Sequence, residues 1–144
     1  MKKKYTLKVF PAGAGREIYR VIELSGEHSL DDLCGAILSA FDFIDEHLYE
    51  FCMDNKMYSD WNYQSDPEDG EPSTRVKLDK IGLVMKQKFS LHYDFGDDWM
   101  FTIIVQKITE TSERIAPTVI KEKGSIEQYS EWDEEEEDYE EQKE

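Results

Sequence analysis

The chain has 144 residues and carries 17 Lys and Arg side chains against 33 Asp and Glu, hence a net charge of −16. This length suits one domain, its two cysteines are too few for a disulfide framework, and the lack of a long apolar run excludes a membrane span, so we expect a cytoplasmic protein. The charge disfavours direct binding to nucleic acid phosphates and favours basic partners instead.

Two strands and a helix are predicted in the first third of the chain. Residues 4–10 alternate between apolar and polar side chains, and residues 17–24 are rich in β-branched residues. Ser29 has the position of a helix N-cap with Asp32 three residues later. The apolar residues that follow recur at helical spacing and predict a helix from about residue 30 to 42.

The remaining elements are shorter or lie near the C-terminus. Further strands are predicted at residues 47–53, within 54–60, at 88–95, at 99–108 and, as a short edge strand, at 115–120. Residues 62–74 form a polar loop without periodicity, which is long for a compact domain and is therefore either mobile or functional. Residues 76–87 read as a short turn or half-helix.

This element order predicts an α+β fold, a β-grasp-like mixed sheet with one main helix packed across it and an extra C-terminal hairpin strand. The domain is expected to span residues 1–110, followed by a weakly ordered extension at 111–130. Residues 131–144 contain ten acids and one lysine, which is −9 of the total charge. A segment with this charge cannot bury apolar surface, so a disordered acidic tail is expected.

The stretch YDFGDDW, residues 93–99, is interpreted mainly as a hairpin turn. A three-residue loop, Gly96 to Asp98, pairs Phe95 with Trp99 and brings the apolar sets of both strands onto one face. In this interpretation Gly96 takes a backbone conformation that other residues avoid, and Asp97 and Asp98 cap the tip.

The turn leaves Asp94 unexplained, and it is expected on the opposite face beside His92 and Ser90, with a neighbouring backbone N–H or Arg20 as its partner. The candidate binding residues are Arg20, His47, Tyr49, His92, Asp94, Asp97 and Asp98. No serine or cysteine is placed as a nucleophile beside the His–Asp pair, and the calcium-loop pattern is absent. A metal cluster of His47, Cys52 and His92 stays open as an alternative, but no catalytic residue, metal or cofactor is assigned.

Four of these stretches occur in the same order as in a known family. They are IYRVIEL, the helix SLDDLCGAILSAFDF, HLYEF and YDFGDDW. On these residues the chain resembles the plasmid pRiA4b ORF-3-like family over roughly residues 4–108, with Tyr19 where members usually have tryptophan before the arginine. The resemblance implies an association with plasmids and mobile elements, and the molecular activity of the family is undefined.

These observations favour a non-enzymatic protein-interaction module. The expected partner is a protein, and the net charge favours a basic one. The first alternative is an acidic inhibitor or nucleic-acid mimic that occupies the basic site of a DNA- or RNA-binding protein. The second is a metal-dependent enzyme. The sequence leaves the oligomeric state open.

Overall fold

The computed structural model describes residues 2–58 and 60–128 and has one helix on a seven-stranded sheet. In chain order the elements are β1 (Lys2–Pro11), β2 (Tyr19–Ser25), α1 (Leu30–Ala40), β3 (Tyr49–Cys52), β4 (Asn62–Gln64), a 3₁₀ helix (Leu78–Lys80), β5 (Lys88–Tyr93), β6 (Trp99–Thr111) and β7 (Thr118–Lys123). The strand order across the sheet is β4-β3-β5-β6-β1-β2-β7.

The α+β class is confirmed, but the β-grasp assignment is not. Every pairing between the named strands is antiparallel, so the expectation of a mixed sheet is wrong. The reason is that the long strand β6 runs antiparallel to β1 along the whole length of β1, from Lys2 opposite Thr111 to Pro11 opposite Phe101. Hydrophobic alternation predicts that a segment is a strand and carries no information on the direction of its neighbour.

Helix α1 begins where the sequence predicts. The Ser29 side chain accepts a hydrogen bond from the backbone N–H of Asp32, and the Asp32 carboxylate accepts one from the backbone N–H of Ser29, which completes a capping box. The helix ends at Ala40, two residues earlier than predicted. Its buried residues, including Cys34, cover one sheet face and form the core with side chains of β1, β2, β3, β5 and β6.

The sheet face opposite α1, here called the outer face, is lined by polar side chains that are nevertheless buried. Glu50 and His92 have no solvent-exposed surface, and Ser90 is only 1% exposed. The connection between β3 and β4 lies across this face, because the backbone N–H of Tyr58 donates to Glu50 and the Ser90 hydroxyl donates to Asn55. A loop therefore covers the polar side chains that α1 does not reach.

The polar stretch at residues 62–74 contains regular structure, contrary to the prediction of a loop without it. Its first three residues are β4, which pairs with β3, and Gln64 forms an isolated bridge with Ser73. The Thr74 hydroxyl is buried and donates to Asp31 in the first turn of α1 over 2.5 Å. The short strand predicted within residues 54–60 lies instead at β4, because the pairing with β3 starts only at Asn62.

The YDFGDDW hairpin differs from its prediction in loop length. Leu91 pairs with Phe101 and Tyr93 with Trp99, so the loop has five residues, 94–98. The shared apolar face is confirmed for Leu91, Tyr93, Trp99 and Phe101, because loops of three and five residues give the same parity of side chains. The predicted place of Phe95 opposite Trp99 is wrong, because Phe95 lies in the longer loop and packs against His92. The prediction that Gly96 takes a special backbone conformation is wrong, because the loop residues with positive φ angles are Asp94 (66°) and Asp98 (54°).

The C-terminal part of the described chain adds an edge strand. Strand β7 pairs antiparallel with β2 and overlaps the predicted strand at residues 115–120. The predicted acidic tail, residues 131–144, lies outside the described residues, and the three proposed segment boundaries stay predictions. No helix among the described residues is long and apolar enough to cross a membrane.

Candidate functional site

The YDFGDDW motif contacts the connection between α1 and β3 at both of its ends. The Tyr93 hydroxyl contacts the backbone of residues 44–46, donating to the carbonyl of Ile44 and accepting from the N–H of Glu46. At the other end of the motif, the Trp99 ring packs edge-on against Phe43 with centroids 4.9 Å apart. The motif therefore positions the segment that leads from α1 into β3.

His92 lies between two carboxylates on the outer face. Its Nδ1 atom is 2.7 Å from Oε2 of Glu50, and its Nε2 atom is 2.6 Å from Oδ1 of Asp98. Both ring nitrogens thus lie within hydrogen-bond distance of a carboxylate oxygen. The imidazole bridges the carboxylates of Glu50 and Asp98, and these three residues are called the His92 cluster below.

The carboxylate of Glu50 is fully hydrogen-bonded inside the protein. Its Oε2 atom also accepts from the backbone N–H of Tyr58 (2.9 Å), and its Oε1 atom accepts from Nε2 of Gln64 (2.8 Å). Burial alone would raise the pKa of Glu50, but the hydrogen bonds from His92, Tyr58, Gln64 and Cys52 bring that pKa below its usual range. The site therefore stabilises the charged form of Glu50.

Two aromatic rings enclose the His92 imidazole. The Tyr58 ring meets it edge-on with centroids 5.0 Å apart, and the Phe95 ring lies at the same distance. Tyr58 and Phe95 also contact each other at 5.9 Å. Since Tyr58 is 63% exposed, the fully buried His92 and Glu50 lie beneath a side chain that itself faces solvent, whereas Asp98 is exposed.

Contrary to the prediction, Asp94 does not lie on the outer face with His92. It follows the end of β5, and its Oδ1 atom accepts from the backbone N–H of Gly96 over 3.0 Å. Its Oδ2 atom is 3.5 Å from Nε2 of His47. The structure thus pairs Asp94 with His47 and with a neighbouring backbone N–H, which is one of its two predicted partners. Asp94 performs the capping that the sequence assigned to Asp97 and Asp98.

The predicted pairing of Arg20 with Asp94 is wrong. Arg20 is only 6% exposed, and its Nε donates to the carbonyl of Ala40 (3.0 Å) at the end of α1. Its Nη1 donates to the carbonyls of Tyr19 (2.8 Å) and Lys123 (3.1 Å). These acceptors draw Arg20 toward α1 and β7 and away from the motif.

Tyr49 and Asp97 also lie apart from the His92 cluster. The Tyr49 hydroxyl donates to Oδ1 of Asp31 over 2.6 Å, which ties β3 to α1. Burial and the neighbouring Asp31 carboxylate raise the pKa of Tyr49. Asp97 is exposed on the hairpin loop, where its backbone N–H points to Asp94.

Sequence reasoning missed Glu50 and Tyr58 as members of the site. The signal for Glu50 was present, since it is the one acid in a strand whose other residues are apolar or aromatic. An acid at such a position requires a buried partner. Tyr58 had no comparable signal, because it lies in an irregular connection with a positive φ of 53°.

The nucleophilic side chains near these residues are engaged or buried. The Ser90 hydroxyl donates to Asn55. Cys34 and Cys52 are buried cysteines that form no disulfide, and burial raises the pKa of Cys34. Within residues 2–58 and 60–128, no group of three or more His, Cys, Asp and Glu side chains is arranged to hold a metal ion, so the alternative cluster of His47, Cys52 and His92 finds no support there.

The sequence and the fold are similar to those of known proteins. A family model described as plasmid pRiA4b ORF-3-like protein matches residues 3–141. A solved crystal structure, described as a protein of unknown function, MM3350 from Methanosarcina mazei Go1, is similar with a TM-score of 0.72 and 24% identity, covering 99% of this chain and 84% of that chain. That likeness shows the fold alone, and no curated protein matches. Because the family model spans nearly the whole sequence, this chain belongs to the plasmid pRiA4b ORF-3-like family.

Proposed function

We propose that the protein is a cytoplasmic, non-enzymatic module that binds another protein through an aromatic patch on its outer face. The patch consists of Met57, Tyr58 and Trp61 from the β3–β4 connection and Phe95 from the hairpin loop. Tyr58 is 63% exposed, Trp61 54% and Met57 39%. Aromatic residues and methionine are enriched in the centre of protein interfaces. Their exposure together is the observation that carries this proposal.

Contacts with the His92 cluster hold the Tyr58 part of the patch. The backbone of Tyr58 is bonded to Glu50, and the Tyr58 ring contacts His92 and Phe95. A side chain already held in one position loses little conformational entropy when a partner covers it. The His92 cluster is therefore assigned a positioning role, in which Glu50 holds the backbone of Tyr58 and the His92 ring contacts both aromatic rings.

Charges around the patch indicate the chemistry of the partner. Asp54 and Asp60 flank the exposed side chains along the chain, Asp97 is exposed next to Phe95, and Lys56 is the basic residue of this connection. These acidic neighbours and the net charge of −16 favour a partner with basic residues around an apolar centre. The same charges accelerate the association of such a partner.

The acidic-mimic alternative rests on the same charge and differs in its salt dependence. A mimic would be held mainly by ion pairs, which salt screens. A partner held by the aromatic patch would be held mainly by apolar burial, and its affinity would change little with salt.

Affinity capture followed by measurement with the identified partner tests the proposal. The wild type is compared with Tyr58→Ala/Trp61→Ala, and the matched control is Val84→Ala/Met85→Ala, which truncates side chains that are 59% and 50% exposed elsewhere. We expect the patch variant to lose affinity roughly tenfold or more and the control to retain it, at about 0.15 M and about 1 M salt alike. Equal binding by both variants, with loss at high salt, would refute the patch and support the mimic.

A further inference from the structure

A cavity of about 380 Å³ opens at the end of α1, between the helix terminus and the segment after β7. It shares no residue with the aromatic patch. Its lining includes Arg20, Phe41, Asp42, Ile44, Glu127 and Gln128. This volume lies within the range of small-molecule sites.

Two side chains of the cavity supply hydrogen-bond donors. The guanidinium of Arg20 uses Nε and Nη1 for backbone carbonyls, and its Nε also lies 3.5 Å from Oε1 of Glu122, an exposed carboxylate. Within the described part of the chain, its Nη2 makes no hydrogen bond. The Gln128 side chain is bound through Oε1, which accepts from the backbone N–H of Ile44 over 2.7 Å. Its Nε2 atom is buried and, among the described residues, has no hydrogen-bond partner.

An unpartnered buried amide is costly, and native proteins rarely retain one. Arg20 is itself only 6% exposed, and Phe41 covers its guanidinium at 4.7 Å from the ring centroid. A planar guanidinium and an amide donor that line one cavity can each donate to a carboxylate. These donors point to a ligand that carries a carboxylate.

The remaining lining residues restrict the ligand further. Asp42 and Glu127 place two carboxylates in the wall of the same cavity, which disfavours a simple anion and favours a ligand that also carries a positive charge. Phe41 and Ile44 provide apolar surface between these groups. We propose that the cavity binds a free α-amino acid with an apolar side chain, its carboxylate at Arg20 and Gln128 and its ammonium group toward Asp42 and Glu127.

Nuclear magnetic resonance titration of the full chain with L-leucine tests this proposal. The readout is the side-chain amide resonance of Gln128, whose Nε2 would gain an acceptor. Isocaproate lacks the ammonium group, isopentylamine lacks the carboxylate, and N-acetyl-leucine mimics a peptide end. We expect saturable binding of leucine with a Kd of about 1 mM or tighter and roughly tenfold weaker binding of the three analogues. Equal binding of leucine and any analogue, or no saturation by leucine, would overturn the proposal.

Isosteric variants localise the binding without removing Arg20, which the fold needs. Gln128→Glu keeps the oxygen that accepts from Ile44 and replaces the amide donors with a second oxygen, so leucine binding should weaken at least tenfold. Asp42→Asn removes one carboxylate at a positive φ of 59° that asparagine tolerates, and it should weaken leucine without affecting isocaproate. Gln106→Glu, on the exposed part of β6, is the matched control. Unchanged leucine affinity in Gln128→Glu with an unchanged melting temperature contradicts the site.

Discussion

The Nδ1 atom of His92 lies 2.7 Å from the Oε2 atom of Glu50, and neither side chain has any exposed surface. A buried charge without its partner is strongly destabilising, although a buried pair need not stabilise more than apolar residues would. The two residues lie on neighbouring strands at directly opposite positions. Their pairing therefore links β3 to β5 on the face that α1 leaves uncovered.

Replacing Glu50 by glutamine should destabilise the protein by about 3 kcal/mol, because it removes a fully buried carboxylate that contacts His92, the backbone of Tyr58 and Gln64. Urea unfolding of the variant and the wild type measures the difference. Glu23→Gln is the matched control, since Glu23 also lies on a strand but forms a partly exposed ion pair with Lys4 at 3.6 Å; it should change stability by less than about 1 kcal/mol. Similar losses in both variants would mean that burial of the pair is unimportant.

The contribution of Glu50 should also depend on pH. Folding lowers the pKa of this carboxylate from its ordinary value of 4.5. A group with a lowered pKa in the folded state stabilises above its unfolded pKa, and this contribution is lost as the pH falls through the folded value. The difference in the free energy of unfolding between wild type and Glu50→Gln should therefore be largest at neutral pH and should decrease below about pH 4.5. A gap that widens on acidification would contradict the assignment of charge.

The hairpin loop should depend on Asp94 more than on Gly96. Asp94 has a φ of 66° and accepts from the backbone N–H of Gly96, so Asp94→Ala removes the acceptor and leaves a poorly suited residue in the left-handed region. We expect a loss of about 1–2 kcal/mol. Gly96 has no positive φ, and an added Cβ would lie 3.4 Å from the nearest side-chain atom, so Gly96→Ala should cost less than about 0.5 kcal/mol. A larger loss of thermal stability in Gly96→Ala than in Asp94→Ala would contradict this assignment and support the three-residue loop.

Two glycines should respond to alanine in opposite directions. At Gly26 an added Cβ would lie 1.9 Å from Oδ1 of Asp79, which accepts from the Tyr5 hydroxyl at 3.0 Å. Displacing Asp79 removes the partner of this hydroxyl and should cost about 1–3 kcal/mol. Gly35 is inside α1 with no atom within 4 Å of an added Cβ, so Gly35→Ala should stabilise by about 1 kcal/mol.

A double-mutant cycle separates the cause at Gly26. If the collision with Asp79 is responsible, Gly26→Ala should cost little in the Asp79→Ala background, where the opposing carboxylate is gone. Strictly additive effects of the two substitutions would instead show that Gly26 acts through its backbone.

Tyr49→Phe distinguishes a structural role from a binding role. The substitution removes the hydrogen bond to Asp31 while Thr74 still donates to that carboxylate, so we expect a loss of about 1 kcal/mol. Binding to a partner identified by affinity capture should not change. A weakened partner interaction at unchanged stability would show that Tyr49 belongs to the binding surface, as the sequence proposed.

The sequence by itself determined the local elements. The alternation of Tyr5, Leu7 and Val9 and the capping pair of Ser29 and Asp32 depend only on residues near one another along the chain. The same holds for the parity of the hairpin, which placed Leu91 and Phe101 on one face without knowledge of the loop length.

Only the tertiary structure decided what these elements face. The tertiary structure set the direction of β6 against β1 and the cover of the outer face by Tyr58. It also brought Glu50 and Asp98 to His92. Each of these contacts is made between residues that lie far apart in sequence or in irregular backbone. Arg20 shows the reason most clearly, since its charge could be read from the sequence but its acceptors are the carbonyls of Ala40 and Lys123. Every residue carries a backbone carbonyl, so no side-chain pattern could single out those two before the chain had folded.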